Sequence, residues 1–226
     1  MNARSCVVTG SASGIGAAIV SRLRSSGWQV CGVDRAHADV TADLSTEAGC
    51  LSMIRPVAER FHGALDALVT CAGISEQSPR TLLVNYLGAV RTLRGLRPLL
   101  ENGSHPRALA IGSLAATFAI DRALEETCLL RDEAESLGYA QHTPPDLIYA
   151  TSKAALTKWV RRNAIEPEWA GQGILLNVIA PGFVDTPLTR ERFKNAQFRQ
   201  RRDEVMRNLV ADTLTPDDIG RSCNSR

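Results

Sequence analysis

The chain lacks paired cysteines at C-x-x-C spacing, histidines at ligand spacing, any apolar run long enough to span a bilayer, and a strong net charge. Each absence excludes a class of function. The 6 cysteines, Cys6, Cys31, Cys50, Cys71, Cys128 and Cys223, are scattered, and several fall in apolar runs. They read as reduced thiols of a cytoplasmic protein and not as a disulfide framework. The 4 histidines, His37, His62, His105 and His142, show no ligand pattern, so no metal site is expected. The first apolar run is far too short for a signal or spanning segment, so no membrane partner is expected. A formal net charge of +2 gives no overall bias towards nucleic acid. There is no internal repeat, low-complexity segment or linker. A length of 226 residues fits one α/β domain over 1–226 with a substantial core.

What the chain does have is a short device for moving a proton. Tyr149 and Lys153 stand four apart in Tyr-Ala-Thr-Ser-Lys, and on a helix that spacing puts both side chains on one face. A cation beside a phenol favours the phenolate, and a phenol so placed can take a proton from an alcohol or give one to a carbonyl oxygen. A second motif opens the chain. Ser5-Cys-Val-Val-Thr9 reads as a buried strand, Gly10, Gly14 and Gly16 follow, and Ile15 to Leu23 reads as a helix with one apolar face. Strand, glycine turn and helix start are the context in which glycines let a backbone approach a pyrophosphate, whose charge the helix N-terminus favours. A second apolar strand, Trp28 to Val33, ends in Asp34. An acid at this distance beyond the glycines is placed to accept from the adenosine ribose and to repel a 2′-phosphate. Asp34 therefore points to NAD. Arg35 beside it keeps NADP as the alternative.

The remaining pattern alternates as a doubly wound parallel sheet does. Glu47 to Phe61 reads as a helix interrupted or bent by Pro56 near Arg55, Asp66 to Thr70 as a strand, and Leu82 to Leu100 as a helix burying Leu93, Leu96 and Leu100. Arg107 to Ile111 reads as a strand, Tyr149 to Trp169 as a long helix, and Ile174 to Ile179 as an apolar strand. Arg190 to Arg207 carries Arg199, Arg201 and Arg202, but Glu191, Asp203 and Glu204 intersperse them, so it reads as a solvated helical face and not as a nucleic-acid patch.

Gly10-x-x-x-Gly14-Ile-Gly16 together with Tyr149-x-x-x-Lys153 resembles the short-chain dehydrogenase/reductase family, from about Arg4 to about Gly220. Cys71-Ala72-Gly73 matches an Asn-Ala-Gly of that family, Asn85 its helix Asn, Ser113 its catalytic Ser, and Pro181-Gly-Phe-Val-Asp-Thr-Pro187 the loop that meets the nicotinamide. The resemblance implies a Rossmann-type fold and hydride transfer, with a small apolar ketone or alcohol as substrate. Tyr149 would be the acid/base. Lys153 would tune it and hold the nicotinamide ribose. Ser113 would steady the substrate oxygen, and Asn85 would hold a water linking Lys153 to solvent. The dinucleotide would meet Gly10, Ser13, Gly14, Ile15 and Gly16, then Asp34, Arg35, Asp43 and Leu44. Cys71, Ala72, Gly73, Tyr149, Lys153, Pro181, Gly182, Val184 and Thr186 would complete its site. Cys71 cannot bridge neighbouring strands as the family's Asn does.

Ala42-Asp-Leu-Ser-Thr46, Val84-Asn-Tyr86, the short stretch from Asp34 to Asp39-Val-Thr41 and an insertion over 121–147 are similar to the bacterial 3α-hydroxysteroid dehydrogenase/carbonyl reductase group. A coniferyl or other alcohol dehydrogenase, or a non-catalytic relative that binds NAD, is the alternative. Leu124, Cys128, Leu130, Ala134 and Leu137 give the insertion an amphipathic pattern. It either lines the pocket or blocks a subunit interface. Thr215 to Gly220 resembles the point where family members begin their last helix, and the tail from Arg221 to Arg226 is polar. The expectation is that the last helix and a seventh strand are missing, which would leave an open apolar edge and weaken any homo-oligomer.

Overall fold

The computed structural model describes residues 3–194, 196, 198–200, 202–203 and 213–223. Strand β1 (Ser5–Thr9) leads through the glycine turn into helix α1 (Gly14–Ser25), and β2 (Gln29–Asp34) and β3 (Val40–Thr41) follow. Helices α2 (Glu47–Ser52) and α3 (Ile54–Arg60) lead to β4 (Ala67–Thr70). Next come a helical turn α4 (Arg80–Leu82), a π-helical segment (Leu83–Gly88) and helix α5 (Ala89–Glu101). After β5 (Arg107–Ile111) stand α6 (Arg122–Leu130), α7 (Glu133–Ala140) and the long α8 (Pro145–Asn163). The chain continues through β6 (Leu175–Ile179), α9 (Pro187–Arg192) and α10 (Pro216–Cys223).

The described strands form one parallel sheet in the order β3-β2-β1-β4-β5-β6. Side chains alternate across it with the two-residue period of extended chain. Val7, Cys31, Val33 and Leu68 face a core shared with Leu93, Leu96, Leu156 and Trp159, while Cys6, Val8, Val30 and Val69 face Ile19, Val20 and Leu23 of α1. The order reverses between β1 and β4, so a crevice opens at the carboxyl ends of those two strands. Burial raises the thiol pKa of Cys31 and Cys50 and pushes Cys128 up to about 12, which keeps them protonated and inert.

Several sequence expectations are refined. The helix over 47–61 is broken at Met53, between α2 and α3, because the Pro56 ring would clash with the carbonyl of Ser52, four residues back. The long helix starts at Pro145 and stops at Asn163, short of Trp169. Proline suits a first helical position, and Pro167 would interrupt any continuation. The β2–β3 crossover has no helix. A loop with His37 in the left-handed region (φ 55) makes it, and Asp39 staples it by accepting from the Gly32 amide (2.7 Å) and Arg24 (2.8 Å).

The expectation of a missing last helix is corrected. Residues Pro216–Cys223 are helical and pack on α1, with Ile219 buried and Asp217 3.6 Å from Arg22. The polar tail thus begins inside a helix that docks through buried Ile219 and the close approach of Gly220 to Arg22 and Ala18. Among the described residues β6 is the sheet edge, and Leu175 on it is 60% exposed. Asn224 to Arg226, like Arg201, Glu204 and Arg207, lie outside the described residues.

The insertion folds as two helices, each opened by an aspartate: Asp121 accepts from the Leu124 amide and Asp132 from the Glu135 amide. Leu124 and Cys128 are buried as the pattern implied, but Leu130 is exposed, because the break after α6 ends its apolar face there. Polar ties strap the insertion to its neighbours. The Thr151 hydroxyl accepts from the Asp121 amide (3.0 Å), Tyr86 donates to the Cys128 carbonyl, and Arg91 pairs with Glu133. Glu125, almost fully buried, receives Lys158 of α8 at 2.6 Å and the exposed Arg122 at 3.3 Å.

Removing the partner of a buried charge costs more than removing the pair. Lys158→Met, which leaves Glu125 only the exposed Arg122, should therefore lower stability by about 1 kcal/mol, and adding Glu125→Leu should recover part of that loss. Urea denaturation of the two variants checks this; a double variant less stable than the single one would contradict it.

Candidate active site

The glycine turn after β1 is built by close approach. A Cβ on Gly10, at φ 69, would lie 2.8 Å from the Ala72 backbone, and one on Gly16 would lie 2.0 Å from the Gly10 carbonyl oxygen. The turn ends at Ser13, which precedes α1 without a side-chain cap, and the first turn of α1 holds no acid. Its amides and dipole thus face a cavity of about 250 Å³ bordered by Gly10, Ser13, Gly14, Ile15 and Gly16. A glycine cradle that side chains would fill, at a helix start left for an anion, fits a dinucleotide phosphate.

On the wall of that cavity beside the turn, Asp34 accepts from the amides of Ala12 (3.0 Å) and Arg35 (2.7 Å). These bonds fix the carboxylate at the carboxyl end of β2. Asp43 lies nearby, and the hydroxyl and amide of Ser45 hold its carboxyl below the usual carboxylate range, helped by the charges of Arg80 and Arg35. Leu44, Ala72, Gly73, Pro181, Gly182, Val184 and Thr186 complete the wall with Cys71. Arg80, steadied by Glu76 at 2.9 Å, borders the cavity too. The sequence reading missed Arg80 because nothing in its local pattern separates it from a surface arginine.

The tie expected of residue 71 comes from another side chain. The Thr9 hydroxyl oxygen accepts from the amides of both Cys71 and Ala72, each at 3.1 Å. The ends of β1 and β4 are thereby bridged without an Asn.

Tyr149 and Lys153 project from α8, with Lys153 buried. Its ammonium donates to the Ile111 carbonyl at 2.8 Å. A Cβ on Gly73 would sit 3.3 Å from Asn85 Oδ1 and 3.6 Å from Lys153 Nζ, so these two groups converge above Gly73. Asn85 occupies the π-helical segment and is fully buried. Its side-chain amide accepts from the Ile74 amide (2.8 Å) and donates to the Ile74 carbonyl (2.9 Å) and the Ser152 hydroxyl (3.2 Å). Asn85 is thus a staple between the loop after β4 and α8. Ser113 ends the segment after β5 and accepts from the Ala115 amide at 3.1 Å.

A second cavity of about 560 Å³ adjoins the first. Ser113, Tyr149, Gly182, Leu188 and Thr189 border both. Its wall is mixed: the apolar side chains of Leu114, Phe118, Phe183 and Phe198 stand beside the charged ones of Glu76, Asp146, Glu191 and Arg192. The insertion borders this cavity at its last residues, Pro145 and Asp146, while its helices contribute no described lining residue: α6 packs on α8, and α7 packs on α6. The basic stretch is also more than a solvated face, since Arg192 is half-buried with its guanidinium 4.5 Å from the Tyr149 ring centroid. Among the described residues no group of three His, Cys, Asp or Glu is placed to hold a metal, and no helix is long and apolar enough to cross a membrane.

Comparison with known proteins agrees with this architecture. The short chain dehydrogenase family matches residues 4–123, and a family described as enoyl-(acyl carrier protein) reductase matches residues 134–224. The 3-alpha-hydroxysteroid dehydrogenase/carbonyl reductase of Comamonas testosteroni is 36% identical over 200 residues, covering 85% of this chain and 77% of its own. The crystal structure of the 3-alpha-hydroxysteroid dehydrogenase from Pseudomonas sp. B-0831, complexed with NADH, superposes with a TM-score of 0.88 at 37% identity, covering 96% of this chain and 87% of that one. The aldohexose dehydrogenase of Thermoplasma acidophilum, at 19% identity and a TM-score of 0.75, shares the fold. On the family match over its first half and on that 36% identity, this chain belongs to the short-chain dehydrogenases, oxidoreductases that act on CH–OH groups.

Proposed function

We propose that this enzyme interconverts a secondary alcohol and a ketone on a bulky, mostly apolar skeleton, steroid-like or aryl, with NAD(H) as its cofactor. The observation that carries the reading is the wall shared by the two cavities. Ser113 and Tyr149 border both the glycine-lined cavity and the second one, on which a patch of Leu114, Phe118 and Phe183 offers apolar surface. A substrate oxygen at that wall meets two hydroxyl groups while its skeleton lies against Leu114, Phe118 and Phe183.

The nicotinamide, when bound, supplies or takes up the hydride. The chain's own residues manage the oxygen and its proton. Tyr149 gives a proton to a carbonyl oxygen, or takes one from an alcohol. Ser113 donates a hydrogen bond to that oxygen as charge develops on it. Lys153, anchored on the Ile111 carbonyl, keeps a positive charge one helical turn from Tyr149 and holds the nicotinamide ribose. Asn85 fixes the loop over Gly73 through Ile74, which sets the floor beneath Lys153. The glycine turn and the start of α1 take the pyrophosphate, and Asp34 takes the adenosine ribose. The pull of a 2′-phosphate towards Arg35 and Arg80 is opposed by the Asp34 and Asp43 carboxylates beside them.

Similarity to the Comamonas and Pseudomonas enzymes supports the hydroxysteroid or carbonyl assignment. A panel of steroid and aryl ketones set against small polar hydroxy acids tests it; higher kcat/KM on the hydroxy acids would reject it.

Tyr149→Phe should lower kcat by about 10²–10⁴-fold with NADH affinity largely retained, while Lys153→Ala should weaken both. A Tyr149→Phe rate within a few-fold of the parent would refute the assignment of the acid/base. NAD(H) should be preferred over NADP(H), and Asp34→Ala should narrow that preference. The ratio of kcat/KM for the two cofactors measures it, and an NADP(H) preference in the parent would assign the dominant role to Arg35 and Arg80.

A further inference from the structure

The second cavity holds a cation, Arg192, set among aromatic rings in a way the hydride chemistry does not explain. Arg192 is the last residue of α9, a helix opened by the Thr186 side chain and Pro187. Its guanidinium carbon lies 4.5 Å from the Tyr149 ring centroid and 4.0 Å from that of Phe198. Both are stacking distances for flat groups, so one planar cation bridges two rings of the cavity wall. Phe198 is itself held against Phe183 (6.0 Å) and Phe193 (5.3 Å), which makes its ring a fixed surface. Arg192 therefore occupies the flat-sided place beside the ring of Tyr149.

Resting on the reading of this cavity as the substrate site, we infer that Arg192 is a specificity-determining residue that holds the place of a substrate ring. A fused-ring ketone entering the cavity displaces the guanidinium and exchanges two cation–ring contacts for two ring–ring contacts, with apolar area buried on Leu114 and Phe118. A short acyclic ketone has no ring to offer Tyr149 and Phe198, so it leaves Arg192 where it stands and works in a narrowed cavity. The favoured class is a ketone or secondary alcohol on a flat, fused-ring skeleton. The two walls of the place have opposite effects. Arginine competes with the incoming ring, whereas Phe198 receives it.

The test compares 2-tetralone with 2-butanone on the parent, Arg192→Ala and Phe198→Ala, with NADH as reductant. Arg192→Ala should lower the KM for 2-tetralone about three- to tenfold, since no cation need be displaced. Phe198→Ala should raise it by a similar factor. The ratio of kcat/KM for 2-tetralone over 2-butanone should rise in the first variant and fall in the second. A residue that merely braced α9 would raise the KM when removed, so a higher or unchanged KM in Arg192→Ala overturns the inference, as does a shift of the same sign in both variants. Calorimetric titration of 2-tetralone into each protein with NAD⁺ present gives the same comparison without turnover. If the parent binds NADH but reduces neither ketone, the proposed ketone substrate class fails, and the binding series still decides the role of Arg192.

Discussion

The site depends on one close passage of backbone against backbone. Where β1 ends, the chain runs so near the residues after β4 that no side chain fits at Gly10, and it then doubles back so tightly that none fits at Gly16. Only glycine supplies both the left-handed turn and the empty space. The passage falls where the strand order reverses, between β1 and β4, so the sheet itself opens a crevice where the glycines remove its walls. The Thr9 hydroxyl locks the two strand ends at that point. Every other element of the site is positioned relative to this junction.

The second support is the π-helical segment that carries Asn85. Its wider turn is accommodated at Gly88, where a Cβ would lie 2.3 Å from the Leu44 carbonyl. Asn85 then spans from the loop after β4 to Ser152 on α8. Lys153 sits on the next residue and reaches the end of β5. The ends of β4 and β5 are thus tied to the long helix by polar bonds from Asn85 and Lys153. Such networks rigidify a site when complete and destabilise it when broken. The insertion reinforces the same region from behind through Thr151, Lys158 and Tyr86.

Much of this was legible in the sequence. The strands over 5–9, 66–70, 107–111 and 174–179 stood within a residue or so of their observed limits, because a buried parallel strand is a short apolar run bounded by turns. The cavity wall was legible through ordered motifs: each residue assigned to the dinucleotide borders one cavity, and Ser113, Tyr149 and Lys153 border it as well. What escaped depended on tertiary contact. Arg80 and Arg192 carry no local signature, since an arginine in a polar helix reads as solvated until its neighbours are known. The π-helical turn at Asn85 is a property of packing against Leu44. The helix over Pro216–Cys223 was missed because its polar sequence has little apolar face of its own, and its packing on α1 supplies the stability that propensity does not. The insertion's amphipathic pattern was read correctly as burial at Leu124 and Cys128, but a pattern does not say which surface it covers.

The bridge made by Thr9 has a consequence for how this fold drifts. Because the sheet's junction is closed by a hydroxyl on β1, the tie between the two strand ends does not rest on the side chain at position 71, which packs beside Cys6, Val8 and Val69 and borders the cavity. A substitution there that keeps the packing can reshape that stretch of cavity wall and leave the tie intact, while position 9 loses its freedom. The duty of joining the strands falls on one residue of the pair, and the duty of filling the space beside them on the other.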